Sequence, residues 1–357
     1  MITGNKGEWS EVYTLFKLLG DKTLYTGDAD LNKVENLFYP IIKVLRNESG
    51  ENYIYDIFGD IIIISGGNEE IKIPINTFIQ QAKFLFSKIK SSHGSFNIPE
   101  TEEFMKSVNC YSLKAKSTTK TDINIVIHDH FVNQTAELGF SIKSKLGGDS
   151  TLLNAGKTTN FIFMIEGFNG NKADINRINT IKSKSKIKDR IIEIKKLGGN
   201  FQFVSLEHDI FKNNLVLIDS MLPNILSEIV MSFYSSNLNT IVSLTREISQ
   251  KNPLNYDTQF SHSFYEYKIK HLLTDISIGM MPSKVWNGKY DATGGYLIVK
   301  EDGDILCYHI YNRNQFEDYL FKNTKLETAS STRHDFGQIY SQNGDLFFKL
   351  NLQIRFV

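Results

Sequence analysis

The chain predicts an α+β fold, a mixed β-sheet core flanked by helices with a further helical and β region toward the C-terminus. Three observations carry that expectation. Short apolar runs with period-2 alternation cluster between Leu24 and Ile75 and return after Gly295. Apolar residues spaced three and four apart mark helices at the start of the chain and through its middle. With 357 residues the chain can bury a sizeable core and should divide into two lobes, since single cores stop growing below about 300 residues. We expect a first lobe over residues 1–210 and a second over 211–357. The break Lys251–Ser263, which contains Pro253, is a further candidate boundary.

Glu8–Leu19 places Trp9, Val12, Tyr13, Phe16 and Leu19 on one helical stripe and Leu15 and Leu18 on a second, so this helix should be largely buried. Strands are expected at Tyr39–Arg46, Tyr53–Phe58, Ile61–Ile64 and Ile71–Ile75, joined by Gly- and Asn-rich turns into an antiparallel meander. The unbroken Ile61–Ile64 run should be covered on both faces. Helices follow over Pro74–Lys90 and Pro99–Val108, the second with proline in its first turn and acids close behind. Leu113–Lys120, with its lysines and hydroxyls, reads as a solvated loop that can also meet phosphates.

The chemistry concentrates between Thr121 and Phe161. Asp122 opens a strand in which Ile123, Ile125 and Ile127 alternate with Asn124 and Val126. After a polar connection over Asp129–Glu137, Phe140 and Ile142 point one way and Ser141, Lys143 and Lys145 the other. A carboxylate at the start of one strand and a lysine on its neighbour's polar face can converge where a divalent cation and an attacking water sit. A solvated sheet edge explains the same residues without chemistry. The spacing resembles the Asp…(Asp/Glu)-x-Lys signature of the PD-(D/E)xK nucleases, with Asp122 as the acid and Lys143 as the lysine. Ser141 stands where a second carboxylate is usual, so another segment must supply that ligand. Glu11 lies on the same side as Leu15 and Leu18 of a buried helix and is the candidate; Glu8, Glu137 and Asp149 come next.

Two stretches imitate other chemistries. Gly156-Lys157-Thr158 matches the end of a phosphate-binding P-loop, but Thr151 occupies the place of its first glycine. His128 and His130 can share a strand face as metal ligands, but lack a nearby third His or Cys and are expected as turn residues. The hydroxyls and amides of Asn154, Lys157, Thr158 and Asn160, with Lys145, suit contacts to a nucleic-acid backbone or to base edges. A strand over Phe161–Ile165 precedes basic helical segments over Lys172–Leu197, in which Lys184 and Lys186 are candidates for phosphate contact. A strand Phe201–Leu206, helices over Leu215–Tyr234, Leu238–Lys251 and Phe264–Ile278, strands Gly295–Val299 and Asp304–Ile310, a helix Gln315–Phe321 and β structure over Leu326–Leu352 complete the chain. Arg333 and His334 lie in the polar loop Thr328–Gly337. Arginine is the commonest reader of guanine; the plainer role is a surface ion pair with Asp335.

Hydrophobic content of 41% and charged content of 22% are ordinary. Lys plus Arg and Asp plus Glu each number 40, so any basic surface must come from clustering. Cys110 and Cys307 are too few for a disulfide framework. With no signal peptide and no apolar run of about 18 residues, the expectation is a soluble cytoplasmic protein that does not enter a membrane.

Gly7-Glu-Trp-Ser-Glu11, Gly139-Phe-Ser-Ile-Lys143-Ser, Ser150-Thr-Leu-Leu-Asn154-Ala, Thr159-Asn160-Phe, Ser331-Thr-Arg333-His334-Asp-Phe-Gly337 and Leu350-Asn-Leu-Gln-Ile-Arg-Phe, in that order, resemble the HpaII family of type II restriction endonucleases over nearly the whole chain. The resemblance implies a Mg²⁺-dependent nuclease of a bacterial restriction system, whose type member cuts CCGG, with a PD-(D/E)xK-like core in the first lobe. It implies double-stranded DNA as partner and a homodimer on a palindromic site, the second lobe serving recognition and dimer contact. Asp122 and Glu11 would hold the metal, with Lys143 positioning or deprotonating the water beside Ser141. Arg333, His334, Lys145, Asn154, Lys157, Thr158 and Asn160 would meet DNA. The competing class is a catalytically silent DNA-binding protein on the same scaffold.

Overall fold

The computed structural model describes residues 1–357 apart from 49, 68, 115–120 and 131–132; most of the lysine-rich stretch up to Lys120 therefore lies outside the described residues. The chain divides into two compact units, Met1–Ser150 with Tyr290–Tyr319, and Thr151–Lys289 with Leu320–Val357. This differs from the expected division at residue 210. The chain after Tyr290 returns to the first unit because its strands find their partners there. The break Lys251–Ser263 lies inside the second unit.

In the first unit, α1 (Lys6–Asp21) starts with a reciprocal cap: Asn5 Oδ1 accepts from the Glu8 amide, and the Glu8 carboxylate accepts from the Asn5 amide. It ends at Lys22 with φ 58°. Then come β1 (Thr23–Gly27), β2 (Lys33–Glu48), β3 (Glu51–Phe58), β4 (Ile61–Ser65) and β5 (Ile71–Pro74), of which β2 to β5 form the expected antiparallel meander. In β4 only Ile62 and Ile64 are fully buried, while Ile61 and Ile63 remain partly accessible. The isoleucine run is a half-covered strand rather than one covered on both faces. Next are α2 (Ile75–Ser91), α3 (Pro99–Ser107), β6 (Ile123–Asp129) and β7 (Gln134–Ser144). The β6–β7 strands run further than expected, so His128 and Asp129 end a strand instead of forming a turn.

The second unit takes β8 (Thr151–Leu153), β9 (Asn160–Glu166), α4 (Lys172–Asn179), α5 (Lys186–Lys196), β10 (Asn200–Leu206), α6 (Asp209–Ile218), α7 (Leu222–Ser235), α8 (Ile241–Lys251) and α9 (Phe264–Ile278). One helix was expected over Leu215–Tyr234. Instead α6 and α7 meet at a bend of 110°, where Asp219 accepts from the Met221 amide and Pro223 enters the first turn of α7. Back in the first unit are β11 (Gly295–Val299) and β12 (Ile305–His309), followed by α10 (Arg313–Lys322). The second unit is completed by β13 (Thr324–Leu326), α11 (Ser331–His334), β14 (Ile339–Gln342), β15 (Asp345–Asn351) and β16 (Ile354–Phe356). No single helix among the described residues is long and apolar enough to cross a membrane.

The first unit's sheet has the order β1-β12-β11-β7-β6-β2-β3-β4-β5, and β1 also pairs with the first half of the long β2. Pairing thus runs from β2 through β6, β7, β11, β12 and β1 back to β2. β11 lies parallel to β7 with Tyr296 opposite Ser141 and Ile298 opposite Lys143. The second unit has two sheets, β10-β9-β15-β14 and β13-β16-β8.

The first unit's core is aromatic where α1 meets α2 and α3. Phe16 is fully buried and meets Phe78 and Phe104 edge-on at 5.9 and 5.1 Å between ring centroids. Phe16→Ala should destabilise the chain by about 3 to 5 kcal/mol, as for truncation of a buried aromatic. A urea unfolding midpoint close to that of the wild type would mean that this contact does not anchor α1.

Candidate active site

The antiparallel register of β6 and β7, with Ile123 opposite Phe140, puts Asp122 level with Ser141. The Asp122 amide donates to the Phe140 carbonyl at 2.8 Å. Its Oδ2 accepts from Ser141 Oγ at 3.0 Å and from the Ile142 amide at 2.7 Å. Ser141 is buried and its hydroxyl clamps Asp122. The start of β6 is held as well: Thr121 Oγ1 donates to the Asp291 carbonyl at 3.1 Å, and the Gly294 amide donates to the Gly139 carbonyl at 2.7 Å.

α1 brings Glu11 to this point. Ser10, the preceding residue, has its hydroxyl 2.7 Å from that of Ser144, the residue after Lys143. Glu11 is half-buried, and its carboxyl is pushed up to about 8, first by burial and next by the negative charge of Asp122. Lys143 feels both acids. Burial lowers its ammonium pKa, while Asp122 and Glu11 counteract that pull. Its Nζ lies 5.4 Å from the ring centre of buried Tyr296 on β11. Asp122, Glu11, Ser141 and Lys143 are therefore gathered at one place, on elements joined by a sheet ladder and a helix contact.

The other acids are elsewhere or engaged. Glu8 forms the cap of α1 and pairs with Lys114 at 3.4 Å. Glu137 is exposed and opposite Val126, four residues down β7 from Ser141, roughly 13 Å along the strand at about 3.3 Å per residue. Asp149 is exposed beyond the end of β7. The rings of His128 and His130 meet edge-on at 4.8 Å, and no group of three or more His, Cys, Asp or Glu poised for a metal exists among the described residues. Two carboxylates with a hydroxyl beside them still form an all-oxygen donor set, which suits a hard divalent cation that keeps several waters. Burial first, and the Asp122 charge second, raise the Glu11 pKa; a cation between the two acids would relieve the second of these effects.

Three residues that shape the site were not singled out from sequence. Arg46 and Glu48, both buried on β2, pair with each other; Arg46 donates to the Ser112 carbonyl and Ser112 Oγ donates to Glu48. That pair ties down the segment leading to Lys114, whose positive charge reaches both Glu11 and Lys143. An arginine directly after Val44-Leu45 in a strand of alternating burial was the available signal. Lys145, half-buried just past β7, donates its amide to the Val299 carbonyl.

The remaining sequence candidates belong to the second unit. Asn154 and Lys157 are exposed and Thr158 half-exposed, the latter two in a single 3-10 turn, Lys157–Thr159. Arg333 is exposed on α11, so its segment is a short helix capped by Ser330 rather than the expected loop. Asp335 sits 3.9 Å from Lys157 and 3.7 Å from Lys349, the cations that take the place expected for Arg333. Asn160 is buried, its amide donating to Glu207 and to the His334 carbonyl. It is therefore not available as a DNA contact, and half-buried His334 contributes its backbone there. In the basic stretch, Arg177 pairs with Glu193, while buried Arg190 donates to three carbonyls.

The model of the HpaII restriction endonuclease family matches residues 5–356. The chain belongs to that family. It is 50% identical over 359 residues, 99% of either chain, to the type II restriction enzyme HpaII of Haemophilus parainfluenzae. No solved structure matches it. This restriction endonuclease is a site-specific DNA endonuclease, and Asp122, Glu11 and Lys143 interact with one another in the first unit.

The state of Glu11 has a measurable consequence. Its carboxyl titrates at about 8 in the folded chain against 4.5 for the free side chain, so the folded state holds the proton more tightly. Stability from this group is fully present below about 4.5 and is lost as pH rises through about 8. In EDTA, wild type should lose stability relative to Glu11→Gln between pH 5 and 8.5, followed by urea unfolding. Parallel curves for the two proteins would remove Glu11 from the buried acidic pair.

Proposed function

We propose that this enzyme hydrolyses double-stranded DNA with Mg²⁺ held by Asp122 and Glu11, on a core that is a Ser-x-Lys variant of the PD-(D/E)xK nucleases. The observation that carries the reading is the convergence of an acid from α1 on the Asp122–Lys143 hairpin, which restores the carboxylate that Ser141 lacks. A cation bound by these carboxylates would neutralise their charge and stabilise the negative charge that develops on the scissile phosphate.

The chain's own residues have separable tasks. Asp122 is presented at a fixed angle because Ser141 Oγ and the Ile142 amide grip one of its oxygens. Glu11 must ionise to bind metal, which links activity to pH on the alkaline side of neutrality. Lys143 Nζ, its pKa lowered by burial, orients the attacking water, and in its neutral amine form accepts the water's proton as the water oxygen bonds to phosphorus and the 3′ oxygen departs. Arg333, on the exposed side of α11, supplies the bidentate donor that a guanine needs. We place the target as a short G·C-containing palindrome, CCGG, and the active form as a homodimer, since a palindrome matches a two-fold pair of protomers.

Plasmid incubated with the purified enzyme should give discrete fragments with Mg²⁺ and none with EDTA. Asp122→Asn and Lys143→Ala should abolish cutting while keeping DNA binding, and Glu11→Gln should lose most of its rate. Full activity in any one of these proteins would remove that residue from the mechanism, and binding without cutting by wild type would mark a silent scaffold. Arg333→Ala should cost about 1 to 3 kcal/mol on cognate duplex, the worth of one bidentate base contact, with little change on random duplex.

A further inference from the structure

Sequence segments that lie far apart in the chain meet in the second unit around two buried amides. Asn160 opens β9 and Asn351 closes β15, and they face each other in the antiparallel ladder. Both are almost wholly buried, at 0% and 1% exposure. Asn351 Nδ2 donates to Asn160 Oδ1 at 2.7 Å, to the Gly156 carbonyl at 2.7 Å and to Thr159 Oγ1 at 3.1 Å. Asn160 Nδ2 donates to Glu207 Oε2 at 2.7 Å and to the His334 carbonyl at 2.8 Å. Lys349 Nζ adds a bond to Glu207 Oε1 at 2.7 Å and lies 3.7 Å from Asp335, the residue that ends α11 with φ 55°.

The consequence is geometric. Asn351 fixes the turn that carries Lys157 and Thr158, and Asn160 fixes the last carbonyl of α11, so the two exposed segments are set against one another through a side-chain pair. The grip extends past the helix, where the Gly337 amide donates to the Lys349 carbonyl and Arg190 donates to the Gly337 carbonyl. A four-residue helix has too few internal bonds to hold its own position, so α11 depends on this knot for its height and tilt. Buried amides whose donors are satisfied specify one arrangement, and losing them leaves partners unpaired.

We propose that Asn160 and Asn351 are positioning residues for base recognition, holding α11 and the Lys157–Thr159 turn as one rigid reading surface against the DNA major groove. The proposal rests on the reading of Arg333 as a base contact. A base contact tolerates far less displacement than a phosphate contact, because a guanine offers its two acceptors in a fixed geometry. Disturbing the knot therefore removes discrimination before it removes affinity.

The test is competition binding of the full-length protein to cognate and random duplexes, with the folded fraction checked by thermal unfolding. Asn160→Ser should stay folded, bind random duplex within about twofold of wild type, and lose tenfold or more of its cognate preference. Lys349→Met, further from the centre of the knot, should lose less, about threefold, and serves if Asn160→Ser does not fold. The double variant Asn160→Ser/Arg333→Ala should be no worse in discrimination than Arg333→Ala alone, since both act through one contact. Equal weakening on both duplexes, or unchanged preference in the folded variants, would overturn the proposal. If Arg333→Ala leaves preference intact while Asn160→Ser loses it, the knot positions another reader and only the Arg333 assignment fails.

Discussion

Burial of a carboxyl on α1 beside the Asp122 carboxylate is the constraint that the first unit's fold has to sustain. Asp122 and Glu11 come from a strand and a helix far apart in the chain, and without a cation one of them gives way by holding a proton near neutral pH. The fold sustains that arrangement because each acid is fixed independently. Asp122 is gripped from β7 by Ser141 and Ile142. α1 is capped at its start, sealed by aromatic packing against α2 and α3, and joined to β7 through the Ser10–Ser144 pair. A divalent cation between the two acids would relieve the charge that Asp122 places on Glu11.

The two units hold their candidate residues by different structural means. The first sets half-buried Glu11 of α1 beside Asp122 and Lys143 of a sheet whose pairing runs from β2 round to β1. The second holds short exposed segments by buried amides and ion pairs instead of by long regular elements. On the proposed reading, hydrolysis draws on two carboxylates and Lys143 at one point, whereas reading bases draws on donors at the height of a groove edge. The structural means differ accordingly.

Much of the first unit was legible in the residues. The stripes of α1, the meander β2 to β5 and the Asp122–Lys143 hairpin all follow from period and turn chemistry, and even the identity of the buried acid follows from the side of α1 on which Glu11 falls. What was not legible depends on contacts between distant segments. No local pattern says that β11 pairs parallel to β7, so the expected division at residue 210 missed the chain's return to the first unit. Asn160 looks like an exposed polar residue beside a glycine turn; only its pairing with Asn351 across β9 and β15 shows that it is buried. Arg46 was missed for the same reason, since its partner Ser112 is far along the chain.

Joint coordination of a cation by Glu11 and Asp122 implies proton release when metal binds. With the Glu11 carboxyl pushed up to about 8, its use as a ligand to Mg²⁺ at pH 7 would expel close to one proton. Titration calorimetry in buffers of different ionisation enthalpy counts that proton. The account predicts about one proton released by wild type and none by Glu11→Gln. Metal binding without proton release in wild type, or the same release from the variant, would contradict it.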